Sequence, residues 1–128
     1  MTRWPLIGMV LICAVLIVAC RQKKVEGTPL SGLPQTGAFY SLSDGEGGFR
    51  VGKVLARDED VVFVHLYQKR WTSRPSWLDA QKAGDPIPIA FLLETFSGMQ
   101  PLHLNNGSVS AEELKAYESW KHSNQDVF

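Results

Sequence analysis

Residue types that can support catalysis occur in this sequence, but not in a pattern typical of a catalytic or metal site. The three histidines, His65, His103 and His122, are widely separated, and none belongs to an H-x-x-x-H pair, the spacing that presents two zinc ligands on one helix face. No serine lies in a G-x-S-x-G nucleophile elbow. Asp44 and Glu46 place two carboxylates in a glycine-rich turn, whereas a calcium loop needs about six oxygen ligands. The sequence therefore predicts a protein that is not an enzyme and that uses no metal and no cofactor.

The residues best suited to chemistry of another kind, the binding of a partner, are aromatic and basic. Aromatic and arginine side chains are enriched at binding hot spots, and aromatic-lined grooves hold peptides. The candidate set is Phe63, Tyr67, Arg70, Trp71, Arg74 and Trp77. The alternative is that Trp71 and Trp77 pack over the open end of a small barrel, because a domain of this size needs its large side chains inside. Both interpretations stay open from the sequence.

Composition narrows the classes of function further. The 128 residues suffice for one domain, and 13 basic residues balance 13 acidic ones. A formal net charge of zero without a clustered basic face argues against a nucleic-acid partner. The two cysteines are Cys13 and Cys20, so the sequence beyond Cys20 cannot form a disulfide of its own. The expected partner is a protein or a peptide.

The elements that position these residues begin with an amino-terminal segment that has the features of an export signal. Arg3 is followed by an uncharged apolar run, Trp4–Ala19, which would be about 24 Å long as a helix. A spanning helix must cross about 30 Å of hydrocarbon, so the run is closer in length to the apolar region of a signal peptide. It ends in Ile17-Val18-Ala19-Cys20, which resembles the lipobox of bacterial lipoproteins.

That resemblance implies a lipid anchor. In this family the peptide is cut before the cysteine, whose thiol carries a diacylglyceryl group and whose new amino group is often acylated too. Two or more acyl chains anchor a protein stably, whereas one anchors it marginally. Residues 1–19 would then be a signal peptide, and Cys20 would hold the domain at a membrane of the cell envelope, facing the periplasm. Arg21 stands where an Asp retains lipoproteins in the inner membrane of enteric bacteria, which implies sorting to an outer membrane where the organism has one.

An uncleaved transmembrane helix is the alternative interpretation of the same segment. Arg21, Lys23 and Lys24 follow the apolar run, and the positive-inside tendency would then leave a single-pass membrane protein with its domain in the cytoplasm. In either case residues 20–37, rich in Gly, Pro, Ser and Thr, predict a flexible linker after the anchor.

Residues 38–123 predict one compact β-rich domain, followed by a disordered tail at 124–128. Val61–Tyr67 is the clearest strand, with Val62, Val64 and Leu66 on one face. Val51 and Val54 break the alternation of the preceding strand, which places a bulge or bend near Gly52. The expected strands are 39–42, 49–57, 61–67, 87–93 and a short one at 102–104 followed by a turn at 105–107.

Helix and edge signals complete the domain. Pro86 and Pro88 cannot donate to a ladder, so the strand near residues 87–93 is expected at a sheet edge. A short helix is expected at 77–83 with Ser76 as its cap. Ser110 and Glu113 form an S-x-x-E capping box that begins the final helix. Leu114, Tyr117 and Lys121 are expected to share one stripe of that helix.

The fold class predicted from this pattern is α+β, and the domain resembles small bacterial SH3-like β-barrel proteins. The resemblance rests on Val51-Gly52-Lys53-Val54-Leu55, Val62–Tyr67, the prolines around Ile87–Ile89, and Glu112–Tyr117. It implies a small antiparallel barrel or curled sheet with a C-terminal helix, and a non-enzymatic module for a protein or peptide partner. Some members of such groups are described as immunity proteins against secreted toxins, which implies an immunity-type role here. A structural or assembly lipoprotein without a ligand groove is the alternative.

Overall fold

The computed structural model describes residues 27–30, 32–123 and 126–128. The signal peptide predicted at residues 1–19 and the predicted lipidation site, Cys20, lie outside the described residues. Part of the predicted linker belongs to the folded domain, because Thr28–Pro29 forms a short strand, β1, that pairs with the sheet. No helix among the residues the structure describes is long and apolar enough to cross a membrane.

Within the described residues, the domain is built on one antiparallel sheet of six strands, which after β1 are β2 Ala38–Ser43, β3 Phe49–Asp58, β4 Val61–Tyr67, β5 Pro86–Leu92 and β6 Leu102–Asn106. Their order in the sheet is β1-β6-β2-β3-β4-β5. The sheet is open, with β1 and β5 at its two edges. The predicted α+β class, with an antiparallel sheet and a C-terminal helix, is confirmed, but the sheet does not close into a barrel.

The strands β2, β3 and β4 form an antiparallel meander, but the bulge in β3 lies later than expected. The register of β3 against β4 shifts between Val54 and Ala56, so Leu55 is the extra residue. Gly52 pairs in regular register with Tyr40 of β2 and with β4. The glycine serves close packing instead, because an added Cβ would come within 3.0 Å of Leu42 Cδ1. The broken alternation of apolar residues therefore does indicate a bulge in β3, but the bulge lies at Leu55 and not at Gly52.

One face of the sheet carries the larger apolar cluster. Val62, Val64 and Leu66 lie together on this face, as predicted, and Tyr40 joins them from β2. Phe96 covers the face and packs edge-on against Tyr40, with ring centroids 5.7 Å apart. Phe96 belongs to α2, Leu93–Gly98, which follows β5 directly.

The opposite face is covered by two different segments. The final helix, α3, Ala111–Lys121, covers one half, and the connection between β4 and β5 covers the other. That connection contains the short helix α1, Trp77–Ala80, which Ser76 caps as predicted. Because both faces are covered, five consecutive residues of β3, Val51–Leu55, are buried, which strict two-residue alternation does not produce.

The buried face of α3 differs from the predicted stripe. The Ser110–Glu113 capping box is present, with each side chain bonded to the other residue's backbone N–H. Leu114 is 46% exposed, so the predicted stripe through Leu114 is wrong. The inward positions are Glu113, Ala116, Tyr117 and Trp120. The helix is turned because Glu113, a charged residue, has a partner beneath it in the sheet.

Candidate functional site

The aromatic and basic set predicted from the sequence does not form one surface. Phe63 is 1% exposed and lies beneath α3, with its ring centroid 5.6 Å from that of Tyr117 and 5.4 Å from that of Trp120. Its neighbours make it part of the core rather than of an open surface. Tyr67 shares the face of β4 with Phe63, but four residues along a strand is about 13 Å, so a different segment covers it.

Tyr67, Trp71 and Trp77 belong to a second apolar cluster built around Val51, Ala80 and Ala83. Phe39 joins them, with its ring centroid 4.8 Å from that of Trp77 and 6.3 Å from that of Tyr67. The backbone of Trp71 also exchanges two hydrogen bonds of 2.8 Å with Phe49, which fixes the connection against the start of β3. These side chains are half-buried, so they pack the domain while keeping part of each ring at the surface.

Arg70 closes the hairpin between β2 and β3. Its Nε donates to Asp44 Oδ2 at 2.5 Å, and its Nη2 donates to the Glu46 carbonyl oxygen at 3.1 Å. Asp44 also accepts hydrogen bonds from the backbone N–H of Glu46 and Gly48. The hydrogen bond from Arg70, helped by these two amides, lowers the pKa of Asp44 to about 2. The acidic turn at residues 44–48 is thus an internally bonded structure.

Arg74 reaches the sheet from the β4–β5 connection. Its Nη1 donates to the Ser41 carbonyl oxygen at 2.8 Å and to Ser41 Oγ at 3.1 Å. Its guanidinium carbon lies 4.7 Å from the ring centroid of Phe49, a cation–π arrangement. Burial lowers the pKa of Arg74. Both arginines of the predicted set therefore make contacts within the domain.

A buried polar cluster, formed by Lys53, His65 and Glu113, was not found by sequence reasoning. Lys53 Nζ donates to Glu113 Oε1 at 2.9 Å and to the Ser108 carbonyl oxygen at 2.7 Å. His65 pairs with Lys53 across β3 and β4, and its Nδ1 lies 3.5 Å from Glu113 Oε2. The side chains of Lys53 and Glu113 are only 10% and 17% exposed. This polar cluster joins the start of α3 to the centre of the sheet.

The protonation states in the polar cluster follow from these contacts. Burial opposes ionisation of Glu113, but hydrogen bonds from the Ser110 N–H and Lys53 outweigh it and lower its pKa. Burial lowers the pKa of His65; the charge of Glu113 raises it and that of Lys53 lowers it. The carboxylate of Glu113 is therefore stabilised by its donors, whereas burial disfavours the charged form of the neighbouring His65 imidazole. Over the described ranges, no group of three or more His, Cys, Asp or Glu side chains is placed to hold a metal ion.

A cleft of about 610 Å³ lies between the β5 edge of the sheet and α3, and we call it the edge groove. Its walls include Pro88 and Ala90 of β5, Phe63 below, and Ala116 and Trp120 of α3. Trp120 Nε1 is buried and has no hydrogen-bond acceptor among the described residues. The sequence signal that could have located this groove was the pair of prolines, which correctly placed β5 at an edge.

The residues at the end of the sequence occupy the edge groove. The N–H of Phe128 donates to the Ala90 carbonyl oxygen at 2.8 Å, and the N–H of Leu92 donates to the Phe128 carbonyl oxygen at 2.7 Å. Phe128 thus bonds to Ala90 and Leu92, the residues on either side of Phe91, which is the pattern of a parallel strand pair. The predicted tail at residues 124–128 thus includes Asp126–Phe128, which the structure places against β5.

Comparisons with known protein families, with curated proteins and with solved structures found no match. The features that bear on function are therefore the geometry of the edge groove and the lipobox-like segment Ile17–Cys20.

Proposed function

We propose that this protein is a lipid-anchored lipoprotein of the cell envelope whose domain binds an extended segment of a protein or peptide partner in the edge groove. Acyl chains on Cys20 would hold it at the membrane, facing the periplasm, and the domain would act without catalysing a reaction. The observation that carries the binding half of the proposal is the pairing of Phe128 with the edge of β5.

Pairing along a sheet edge is a general way to recognise a peptide. An edge strand presents unpaired N–H and C=O groups, and an added strand satisfies them while its alternate side chains enter pockets. The Ala90 carbonyl and the Leu92 N–H point away from β4 and form such a site. Pro86 and Pro88 point the same way by two-residue alternation and have no N–H to donate, so pairing is concentrated at residues 90–92.

The apolar floor and wall of the edge groove supply binding free energy beyond that of the two backbone hydrogen bonds. A net contribution of about 0.5–1.5 kcal/mol per hydrogen bond gives only weak binding. Trp120, Ala90 and Ala116 line the groove, and burying an apolar side chain against them adds about 1.5–3 kcal/mol. The partner segment is therefore expected to carry an aromatic or large apolar residue beside the paired position.

The resemblance to SH3-like bacterial proteins and an immunity-type role belong to this proposal. The meander of β2, β3 and β4, with its bulge in β3, supports the first. In an immunity-type role the extended segment would belong to a toxin, and the lipid anchor would keep the domain at the membrane that a secreted toxin reaches first.

The lipid anchor is tested by the mass of the protein extracted from membranes. The proposal expects a chain that begins at Cys20 and carries acyl chains, and it expects Cys20→Ala to abolish acylation and release the protein from the membrane fraction. Cys13→Ala is the matched control, because Cys13 lies within the segment to be removed. Retention of Met1 without added lipid mass would favour the uncleaved helix instead.

The peptide-binding role is tested with a library of random peptides selected on the full protein in detergent micelles. Leu92→Pro removes the edge donor, and the backbone of Leu92, with φ −61° and ψ 145°, already suits proline. Leu92→Ala is the control because it keeps the N–H and shortens the same side chain. Peptides enriched on the wild type and on Leu92→Ala but lost on Leu92→Pro support the proposal. Equal enrichment on all three, or none on any, contradicts it.

A further inference from the structure

We infer that Asp126–Phe128 is a built-in competitor for the edge groove, and that the partner is an extended segment that displaces it, runs parallel to β5 and places an aromatic residue where Phe128 lies. This inference rests on the proposed peptide-binding function and adds the direction, the key side chain and the control of access. A segment of this chain already binds the site through the backbone of Phe128.

The backbone geometry defines the direction of the partner. Phe128 donates to Ala90 and accepts from Leu92, so the segment runs parallel to β5, whereas every pair within the six-stranded sheet is antiparallel. A segment running the other way would also need a register that avoids Pro88, which offers no N–H. The edge therefore accepts a short parallel segment most readily.

The side chains define the residue that the partner must supply. Phe128 lines the edge groove with Phe63 and Trp120, yet it remains 60% exposed, so the resident segment fills the groove incompletely. Trp120 Nε1 is buried at the wall without an acceptor among the described residues. A longer segment that adds an oxygen acceptor near this donor and buries its aromatic ring more fully would bind better than the resident one.

The covalent connection explains why the resident segment stays in place despite few contacts. Asp126 follows Lys121, the last residue of α3, by five positions, so the segment is held near the groove at an effective concentration in the millimolar range. A partner must compete with it, so the partner's apparent dissociation constant equals the intrinsic one divided by the fraction of time the groove is empty. Removing the segment should then strengthen partner binding without altering the site.

The experiment uses the full protein in micelles, in three forms: wild type, a variant lacking residues 126–128, and that shortened variant with Leu92→Pro. The probe is a synthetic Gly-Gly-Gly-Asp-Val-Phe peptide, added at up to millimolar concentration. The control probe ends in Ala instead of Phe. Hydrogen exchange and chemical shift of the Leu92 amide report the pairing, and sedimentation reports the mass of the protein.

We expect the Leu92 amide to be protected in the wild type, to lose protection in the shortened variant, and to regain it with the probe. The shortened variant should bind the probe about tenfold more tightly than the wild type, which corresponds to a groove occupied about 90% of the time. The Ala-ending probe and the Leu92→Pro variant should each reduce binding at least fivefold.

Three results overturn the inference. A Leu92 amide that exchanges equally in the wild type and the shortened variant would show that the segment does not occupy the edge. Equal probe affinity for the two forms would show that it does not compete. Dimerisation of the shortened variant without probe binding would make a second copy of the chain the occupant. If library peptides still depend on the Leu92 N–H in any of these cases, the proposed function stands and only this inference fails.

Discussion

Replacing Lys53 with methionine removes the positive charge from the polar cluster and leaves a side chain of similar length. Glu113 then keeps its hydrogen bond from the Ser110 N–H, but it loses the 2.9 Å contact that balanced its charge, and the Ser108 carbonyl loses its donor. Because α3 is joined to the sheet through these contacts, we expect the variant to fold with reduced stability.

The structure sets the size of this loss. Breaking a buried ion pair by removing one partner destabilises a protein by about 3–5 kcal/mol. Here the two side chains keep 10% and 17% exposure, so water reaches Glu113 in part and the lower end applies, about 3 kcal/mol. The double variant Lys53→Met, Glu113→Gln removes the unpaired charge and keeps an oxygen for the Ser110 N–H. It should recover about 1.5 kcal/mol relative to Lys53→Met alone.

Urea unfolding of the full protein in non-ionic detergent, followed by tryptophan fluorescence, measures both values. Lys115→Met is the matched control, because Lys115 lies on the exposed side of α3 and should change stability by less than about 0.5 kcal/mol. A loss below about 1 kcal/mol for Lys53→Met would refute the reasoning. So would a double variant that is no more stable than the single one.

Three further predictions concern pH, the backbone and the core. Burial lowers the pKa of His65 below its ordinary 6.5, so on acidification the unfolded chain binds a proton at a higher pH than the folded chain does. The free energy of unfolding therefore falls as the pH drops below 6.5. His65→Gln should flatten this dependence in urea titrations between pH 8 and 5. Gly37→Ala should cost over about 2 kcal/mol, because φ is +89° and the added Cβ would overlap a backbone carbonyl, whereas Gly98→Ala, with open space around it, should be near neutral by thermal unfolding. Phe63→Ala should cost about 3–5 kcal/mol by urea unfolding, and a loss below about 1 kcal/mol would place the ring at a surface rather than in the core.

Local signals predicted the elements well because each depends on residues close in sequence. The β-branched run Val61–Tyr67 forms the central part of the sheet, and the glycines and acidic residues on either side of β3 form its turns. The capping oxygens of Ser76 and Ser110 begin α1 and α3 as expected, because a cap bonds to an amide only three residues away. These features need no knowledge of the tertiary fold.

Features that depend on distant contacts were not predicted from the sequence. Glu113 faces the sheet because of Lys53, which lies 60 residues earlier, and no periodicity within α3 contains that information. The bulge at Leu55 likewise depends on how β4 pairs with β3, since the broken alternation alone fits several positions. Asn105 and Asn106 are turn-forming types, yet both lie in β6, because pairing with β2 overrides local preference.

The candidate binding residues were predicted by type, and type does not determine which segment covers them. Phe63 and Tyr67 share a face of β4, but α3 covers the first and the β4–β5 connection covers the second. The four aromatic members of the predicted set are therefore divided between two clusters, and its two arginines bond to other parts of the domain. The proline signal at β5 was the more informative one, because an edge strand is defined by a missing donor, and that property can be read directly from the sequence.

The edge of β5 also shows why protection and recognition can share one strand. An exposed edge promotes pairing between copies, and natural proteins limit it with prolines and coverings. Pro86 and Pro88 remove the donors along the first part of β5, and Phe128 covers the Ala90–Leu92 stretch that the prolines leave able to pair. If the prolines alone protected the edge, removal of residues 126–128 would change neither assembly nor binding. If the segment protects the last pairing site, its removal must expose that site, and what then binds there identifies the partner.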